Sequence, residues 1–168
     1  MKLYSYFRSS ASFRVRIALA WKGLDYDYIP VHLLKDGGQQ FAAEYKALNP
    51  ASLVPALQED DGTVLTQSLA IIEYLDETRP APPLLPRDEG ARAHVRAVAQ
   101  AIACEIHPLS NLVVLKRVEA LAGPDARGQW NRDNIGAGLA AVEAMLDHPG
   151  FDGRFCHGDT PGLADCAL

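Results

Sequence analysis

The sequence predicts an α/β domain followed by an all-helical one. Three observations carry that reading. Up to residue 79, strand-like and helix-like apolar patterns alternate along the chain. Residues 80–87 then hold Pro80, Pro82, Pro83 and Pro86, a stiff stretch in which a helix cannot continue. Past it, every patterned segment repeats at helical spacing. The predicted organisation is an α/β domain over 1–79, a proline-rich linker over 80–87 and a helical domain over 88–168.

Lys2-Leu3-Tyr4-Ser5-Tyr6 alternates and carries aromatics, the pattern of a short strand. Phe13, Ile17, Ala20, Trp21 and Leu24 follow at i, i+4, i+7, i+8 and i+11, the stripe of an amphipathic helix. Ser9, Ser10 and Ser12 fall in the turn between the two. The first N–H groups of a helix lack intrahelical partners and its N-terminus carries partial positive charge, so this turn suits a phosphate, carboxylate or thiolate. The same serines also suit simple capping. Tyr26 to Val31 predicts a second strand, Gly37-Gly38 breaks the chain, and Gln39 to Leu48 predicts a short helix ending near Asn49-Pro50.

Val54-Pro55-Ala56-Leu57 opens a third strand, and Asp60-Asp61-Gly62 predicts a tight turn into Thr63-Val64-Leu65. Ile71, Ile72 and Leu75 supply the stripe of a helix over Ser68 to Thr78. A βαβ unit followed by a hairpin and a helix implies a mixed sheet covered by helices. In the second half, Val95, Val98, Ile102, Ile106, Leu109 and Val113 predict one helix kinked at Pro108, ended by Gly123-Pro124. Ile135, Leu139, Val142 and Leu146 mark the next, up to Pro149-Gly150.

Composition narrows the function. Of 168 residues, 48% are apolar and 22% charged, as in an ordinary globular protein with a real core. A net charge of -5 argues against nucleic acid or an anionic membrane as partner. No apolar run approaches the ~20 residues of a membrane span, and Met1-Lys2-Leu3 enters the first strand without a signal-peptide pattern. Cys104, Cys156 and Cys166 are unpatterned, which suits a reducing cytoplasm and reads as buried or incidental thiols. The five histidines show no metal-ligand spacing, so no metal is expected.

Several ordered motifs then resemble one family. Arg8-Ser9-Ser10-Ala11-Ser12-Phe13-Arg14-Val15-Arg16 is similar to the serine-rich signature of the zeta class of glutathione transferases. Lys35-Asp36-Gly37-Gly38-Gln39-Gln40-Phe41, Leu48-Asn49-Pro50, Val54-Pro55 and Gln67-Ser68-Leu69-Ala70-Ile71-Ile72-Glu73-Tyr74-Leu75 follow in the family's order. Ile106-His107-Pro108-Leu109 and Asn111-Leu112 continue it into the helical half. The resemblance spans essentially the whole chain. It implies a thioredoxin-like N-terminal domain followed by a helical glutathione-transferase domain.

The chain departs from that pattern in three ways. Ala11 stands where the class usually has cysteine, and Gly162, three residues before Asp165, stands where a Ser or Thr usually caps the buried helix near the C-terminus. The chain ends at Leu168 whereas family members continue for several more helices, so the resemblance implies a truncated, C-terminally incomplete domain.

The resemblance also implies a site. Ser9 would donate a hydrogen bond to the thiolate of bound glutathione, with Ser10 mainly a cap and next in line for the catalytic role. A free thiol has a pKa of roughly 8.5, and lowering it by about two units takes only about 2.7 kcal/mol. Ala11 fits, because the cofactor supplies the sulfur. Val54, presented by a cis Val54–Pro55 bond, would pair through its backbone with the cysteinyl part. Gln67 and Ser68 would hold the γ-glutamyl carboxylate and Gln40 the glycyl end.

His107 and Asn111, four apart and so on one helical face, would contact glutathione or substrate in the cleft between domains. Arg8 would pair with a carboxylate of a diacid substrate, and Arg14 and Arg16 would serve in surface or interdomain ion pairs. The implied activity is glutathione-dependent cis–trans isomerisation of a maleyl diketo acid, maleylacetoacetate or maleylpyruvate, in aromatic or tyrosine catabolism by a cytoplasmic homodimer. Glutathione conjugation or dehalogenation of a small α-halo acid uses the same thiolate. A non-catalytic interaction module of this fold is the third reading.

Overall fold

The β-α-β-α-β-β-α order predicted for the first half is present. The computed structural model describes residues 1–168, which form two units, Met1–Leu84 and Leu85–Leu168. In the first unit, β1 (Lys2–Ser5), β2 (Asp27–Pro30), β3 (Ala56–Gln58) and β4 (Val64–Thr66) form one sheet in the order β2-β1-β3-β4. β1 runs parallel to β2 and antiparallel to β3, and β3 pairs antiparallel with β4. The parallel pair requires a crossover, which α1 (Ser10–Trp21) provides. α2 (Ala43–Leu48) lies between β2 and β3, and α3 (Ser68–Thr78) follows β4 and packs on α1.

Two local expectations change. The buried side of α1 is Ser12, Arg14, Val15, Ala18 and Leu19, not the predicted stripe: Phe13 is 54% exposed and Trp21 40%. Val15, Ala18 and Leu19 themselves recur at i, i+3 and i+4, so the chain held two overlapping stripes. Close packing on α3 admits the side with small Ala18 and leaves the bulky aromatics outside. The predicted single helix over Gln39 to Leu48 is a one-turn 3-10 segment, Gln39–Phe41, and then α2, because Ala42 is extended at φ -62° and ψ 147°.

The proline-rich stretch is partly tied down. Lys22 Nζ, buried under it, donates to Asp76 Oδ1 at 2.7 Å and to the carbonyls of Arg79 and Pro82 at 2.8 Å each. Asp76 Oδ1 also accepts the Leu84 N–H at 2.8 Å, and the Leu84 side chain is buried.

The second unit is helical throughout, built from α4 (Glu89–Gln100), α5 (His107–Leu109), α6 (Leu112–Leu146) and α7 (Leu163–Ala167). Its core includes Val95, Val98, Ile102, Ile106, Val142, Leu146 and Leu163. The expected Pro108 kink is instead a widening and a break. Ala101–Ile106 winds as a π-helix, α5 lasts one turn, and Asn111 at φ -67° and ψ 145° starts a new helix. Counted as one helix, 89–146 is long and apolar enough by composition to cross a membrane, contrary to the sequence reading. The break at Asn111 and Gly123, at φ +88° inside α6, divide that run. At α7, Gly162 offers no side-chain oxygen, so only the return half of a capping box exists: Asp165 Oδ2 accepts the Gly162 N–H at 2.7 Å.

Candidate active site

Sheet register brings the predicted residues of the first unit to one edge. Tyr4 pairs with Ala56, Ala56 with Thr66, and Ser5 with Pro30. At that edge the chain leaves β1 toward Ser9 and leaves β2 toward the turn that holds Gln40. It also enters β3 there from Val54-Pro55 and leaves β4 into Gln67-Ser68.

Ser9 is the N-cap of α1. Its Oγ accepts the Ser12 N–H at 3.2 Å, and its own N–H donates to the Tyr6 carbonyl at 3.0 Å. A hydroxyl has one proton and two lone pairs, so the cap occupies the oxygen and leaves the proton to donate outward. Capping and anion stabilisation therefore use different parts of one group. Ser10, expected to be mainly the cap, is the first residue of the helix and exposed, and the cap is Ser9.

Both arginines of this turn lie elsewhere than expected. Arg16 is no ion-pair residue: its Nη1 donates to Ser5 Oγ at 3.1 Å and the Tyr6 carbonyl at 3.4 Å, and its Nη2 to the Phe7 carbonyl at 3.3 Å. It clasps the loop that presents Ser9. Arg14 is buried rather than on the surface, and its Nη1 donates to Ser68 Oγ at 2.6 Å. Arg8 is exposed beside the turn.

Val54 is held from behind. The carbonyl of Leu53 accepts from Tyr45 Oη at 2.6 Å and from Asn49 Nδ2 at 2.7 Å. Burial pushes the Tyr45 phenol up to about 12, so it remains a donor at neutral pH. The Val54–Pro55 bond is cis, and no hydrogen bond within the chain uses the Val54 N–H or C=O.

Gln40 is buried with its Oε1 unpartnered. Gly38 lies against it at φ +107°, a backbone conformation that favours glycine. His32 fastens the neighbouring turn. Its N–H donates to Gln39 Oε1 at 2.8 Å, and its Nδ1 accepts the N–H groups of Leu34 and Lys35 at 3.2 and 3.0 Å.

Gln67 has φ +68° and ψ 114°, a sparsely populated conformation that costs on the order of 1–3 kcal/mol and turns the chain from β4 into α3. The first intrahelical bond there is from Ile71 N–H to the Gln67 carbonyl at 2.9 Å, so the N–H groups before it are open to an anion.

In the second unit, His107 and Asn111 do not share a helical face. Asn111 is the N-cap of α6, with Oδ1 accepting the Val113 N–H at 3.0 Å, while His107 opens α5. The four-residue spacing argument fails because the helix stops between them: Ser110 and Asn111 donate back to the carbonyls of His107 and Pro108 in tight i−3 bonds. Ser110-Asn111 before an apolar run is a capping signal that the sequence reading did not use.

Residues 8–78 match the family model described as glutathione S-transferase, N-terminal domain. The maleylacetoacetate isomerase of Mus musculus is 52% identical over 99% of this chain and 74% of its own length. The chain belongs to the zeta class of the glutathione transferase family. A solved holo maleylpyruvate isomerase, described as a bacterial glutathione S-transferase of the zeta class, superposes with a TM-score of 0.92 at 46% identity, covering 99% of this chain and 78% of that one. A maleylacetoacetate isomerase of Anaeromyxobacter dehalogenans, solved with glutathione in its active site, gives a TM-score of 0.85 at 46% identity over 99% of this chain and 76% of that one. The fold is thus the glutathione-transferase fold, with its thioredoxin-like unit first. The predicted residues of the first unit gather at the open end of the sheet. Arg14, Tyr45 and Arg16 are supporting residues that local reading did not assign to that place.

Proposed function

We propose that this chain is a glutathione-dependent cis–trans isomerase of a maleyl diketo acid, maleylacetoacetate or maleylpyruvate. The observation that carries the proposal is the Ser9 hydroxyl, whose oxygen is occupied as the α1 cap while its proton remains free to donate. The donor set at the sheet edge fits glutathione. The open Val54 N–H and C=O match an extended peptide, the buried unpartnered Gln40 Oε1 matches an N–H of the glycyl end, and Ser68 with the start of α3 matches a carboxylate. Gln67, next to Ser68, is assigned to the same carboxylate end. When bound, glutathione supplies a thiolate that adds reversibly to an electron-poor cis double bond and so permits rotation about it.

The chain's residues serve that chemistry by holding charge. Ser9 favours the thiolate over the thiol through its hydroxyl proton and through the N-terminus of α1. Arg16 keeps the Ser9 loop in place, and Tyr45 with Asn49 fix the Leu53 carbonyl ahead of Val54. Arg8, exposed and without an ion pair, is assigned to a substrate carboxylate, and Ser10 is the alternative donor to the thiolate. His107 and Asn111 are assigned to glutathione on family resemblance. The same resemblance supports a homodimer in the cytoplasm and a domain division in the 80–87 stretch.

Turnover of maleylacetoacetate and of maleylpyruvate, followed with and without glutathione, tests the proposal. Isomerisation of either diacid that requires glutathione is the expected result. Turnover only of α-halo acids would transfer the site to conjugation or dehalogenation, and glutathione binding without any turnover would make the chain a binding module. Light scattering at micromolar concentration tests the dimer.

A further inference from the structure

We infer that Arg14 is a positioning residue for the γ-glutamyl carboxylate of glutathione, acting through Ser68. The inference rests on the glutathione-binding reading above and assigns a role to a residue outside that set. Arg14 and Ser68 are both buried, and they meet across 54 residues of sequence at 2.6 Å, a short charge-assisted hydrogen bond.

The geometry sets the direction of the Ser68 hydroxyl. Arginine has donors only, so Ser68 Oγ must accept from it, and the Ser68 proton must point elsewhere. Ser68 is the first residue of α3, where the first N–H groups have no intrahelical acceptor and suit an anion. The hydroxyl proton is left to join them. Donation from a guanidinium also polarises the hydroxyl and strengthens it as a donor in turn. Lysine at this position would keep the charge but lose the planar fork that fixes the bond direction.

Binding separates positioning from scaffolding. Dissociation constants for glutathione and for its γ-glutamyl α-carboxamide, which lacks only that carboxylate charge, are measured on the wild type, Arg14→Lys, Arg14→Met and Ser68→Ala by calorimetry. Thermal melts of each variant are recorded alongside. For Arg14→Met, glutathione should weaken by about tenfold to a hundredfold while the carboxamide changes by less than about threefold. Arg14→Lys should recover part of that loss, and Arg14→Met combined with Ser68→Ala should be scarcely worse than the stronger single variant. Equal weakening of both ligands, or unchanged glutathione affinity in a folded Arg14→Lys protein that melts below the wild type, would assign Arg14 to scaffolding alone. If Arg14→Met does not fold, the Arg14→Lys and Ser68→Ala pair decides by the same comparison. A wild type that binds glutathione but turns over no diketo acid overturns the isomerase reading and leaves this inference standing.

Discussion

His94 of α4 and His148, just past α6, stack with ring centroids 4.1 Å apart and planes 15° from parallel. His157 lies 6.0 Å from His148, and the Nε2 of His94 and Nδ1 of His157 are buried without partners. Burial first, and then the neighbouring His148 and His157, hold the His94 pKa below its usual 6.5. The unfolded chain therefore takes up a proton at His94 more readily than the folded chain does. Stability from this cluster is complete above pH 6.5 and falls as pH drops below it. Urea midpoints at pH 7.5 and 5.5 should show that drop, and His94→Gln should flatten it. An identical pH slope in His94→Gln would remove the cluster from the account.

Ser9→Ala removes the cap and the free donor together. Loss of the cap should cost about 0.5–2 kcal/mol of stability. Loss of a hydrogen bond to a charged group costs on the order of 1.5–3 kcal/mol, so turnover per folded molecule should fall roughly tenfold to a hundredfold while the bound thiol's pKa rises. Ser10→Ala, at an exposed position without the cap, should leave both quantities near wild type. Thiolate absorbance against pH, read beside denaturation curves, distinguishes the two variants. A normal thiol pKa in Ser9→Ala defeats the catalytic assignment.

Lys22→Met should be among the most destabilising single changes in the first unit. It strips Asp76, only 12% exposed, of its cation and frees the carbonyls of Arg79 and Pro82. Breaking one half of a buried pair costs about 3–5 kcal/mol. Replacing both partners, as Lys22→Met with Asp76→Leu, should recover part of the loss in urea titrations. A loss below about 1 kcal/mol for the single variant would show that solvent reaches the pair.

The three cysteines should differ in reactivity. Cys104 is exposed, whereas Cys156 and Cys166 are buried. Burial, together with the nearby Asp165 carboxylate, pushes the Cys156 thiol up to about 12, leaving almost no thiolate at neutral pH. Iodoacetamide on the native protein should label Cys104 first, and Cys156 only at the rate of unfolding. Rapid native labelling of Cys156, read by mass spectrometry, would contradict its burial.

Where the sequence reading succeeded, the signal was local. Ser68 to Thr78 is a helix in both the reading and the structure, because the Ile71, Ile72 and Leu75 stripe lies within it and is buried. The hairpin after Gln58 follows from Asp60-Asp61-Gly62, with Gly62 at φ +91°. It failed where two local readings were equally allowed. α1 carries two apolar stripes, and His107 with Asn111 satisfied a helical spacing that the break after Pro108 removes.

The family resemblance implied the roles of Val54, Gln67 and Ser68, while the sequence by itself determined the order of the elements and the serine turn with Ser9 in it. Those depend on neighbours within a few residues, where periodicity and capping act. Only the tertiary structure decided which side of α1 is buried and what Arg14 does. An arginine in a first helical turn reads as a surface charge, since the helix dipole disfavours it there. One group that meets it there is Ser68 Oγ, 2.6 Å away and 54 residues distant in the chain. No local pattern carries such a pairing, because the desolvation of the guanidinium is offset by groups that only packing assembles.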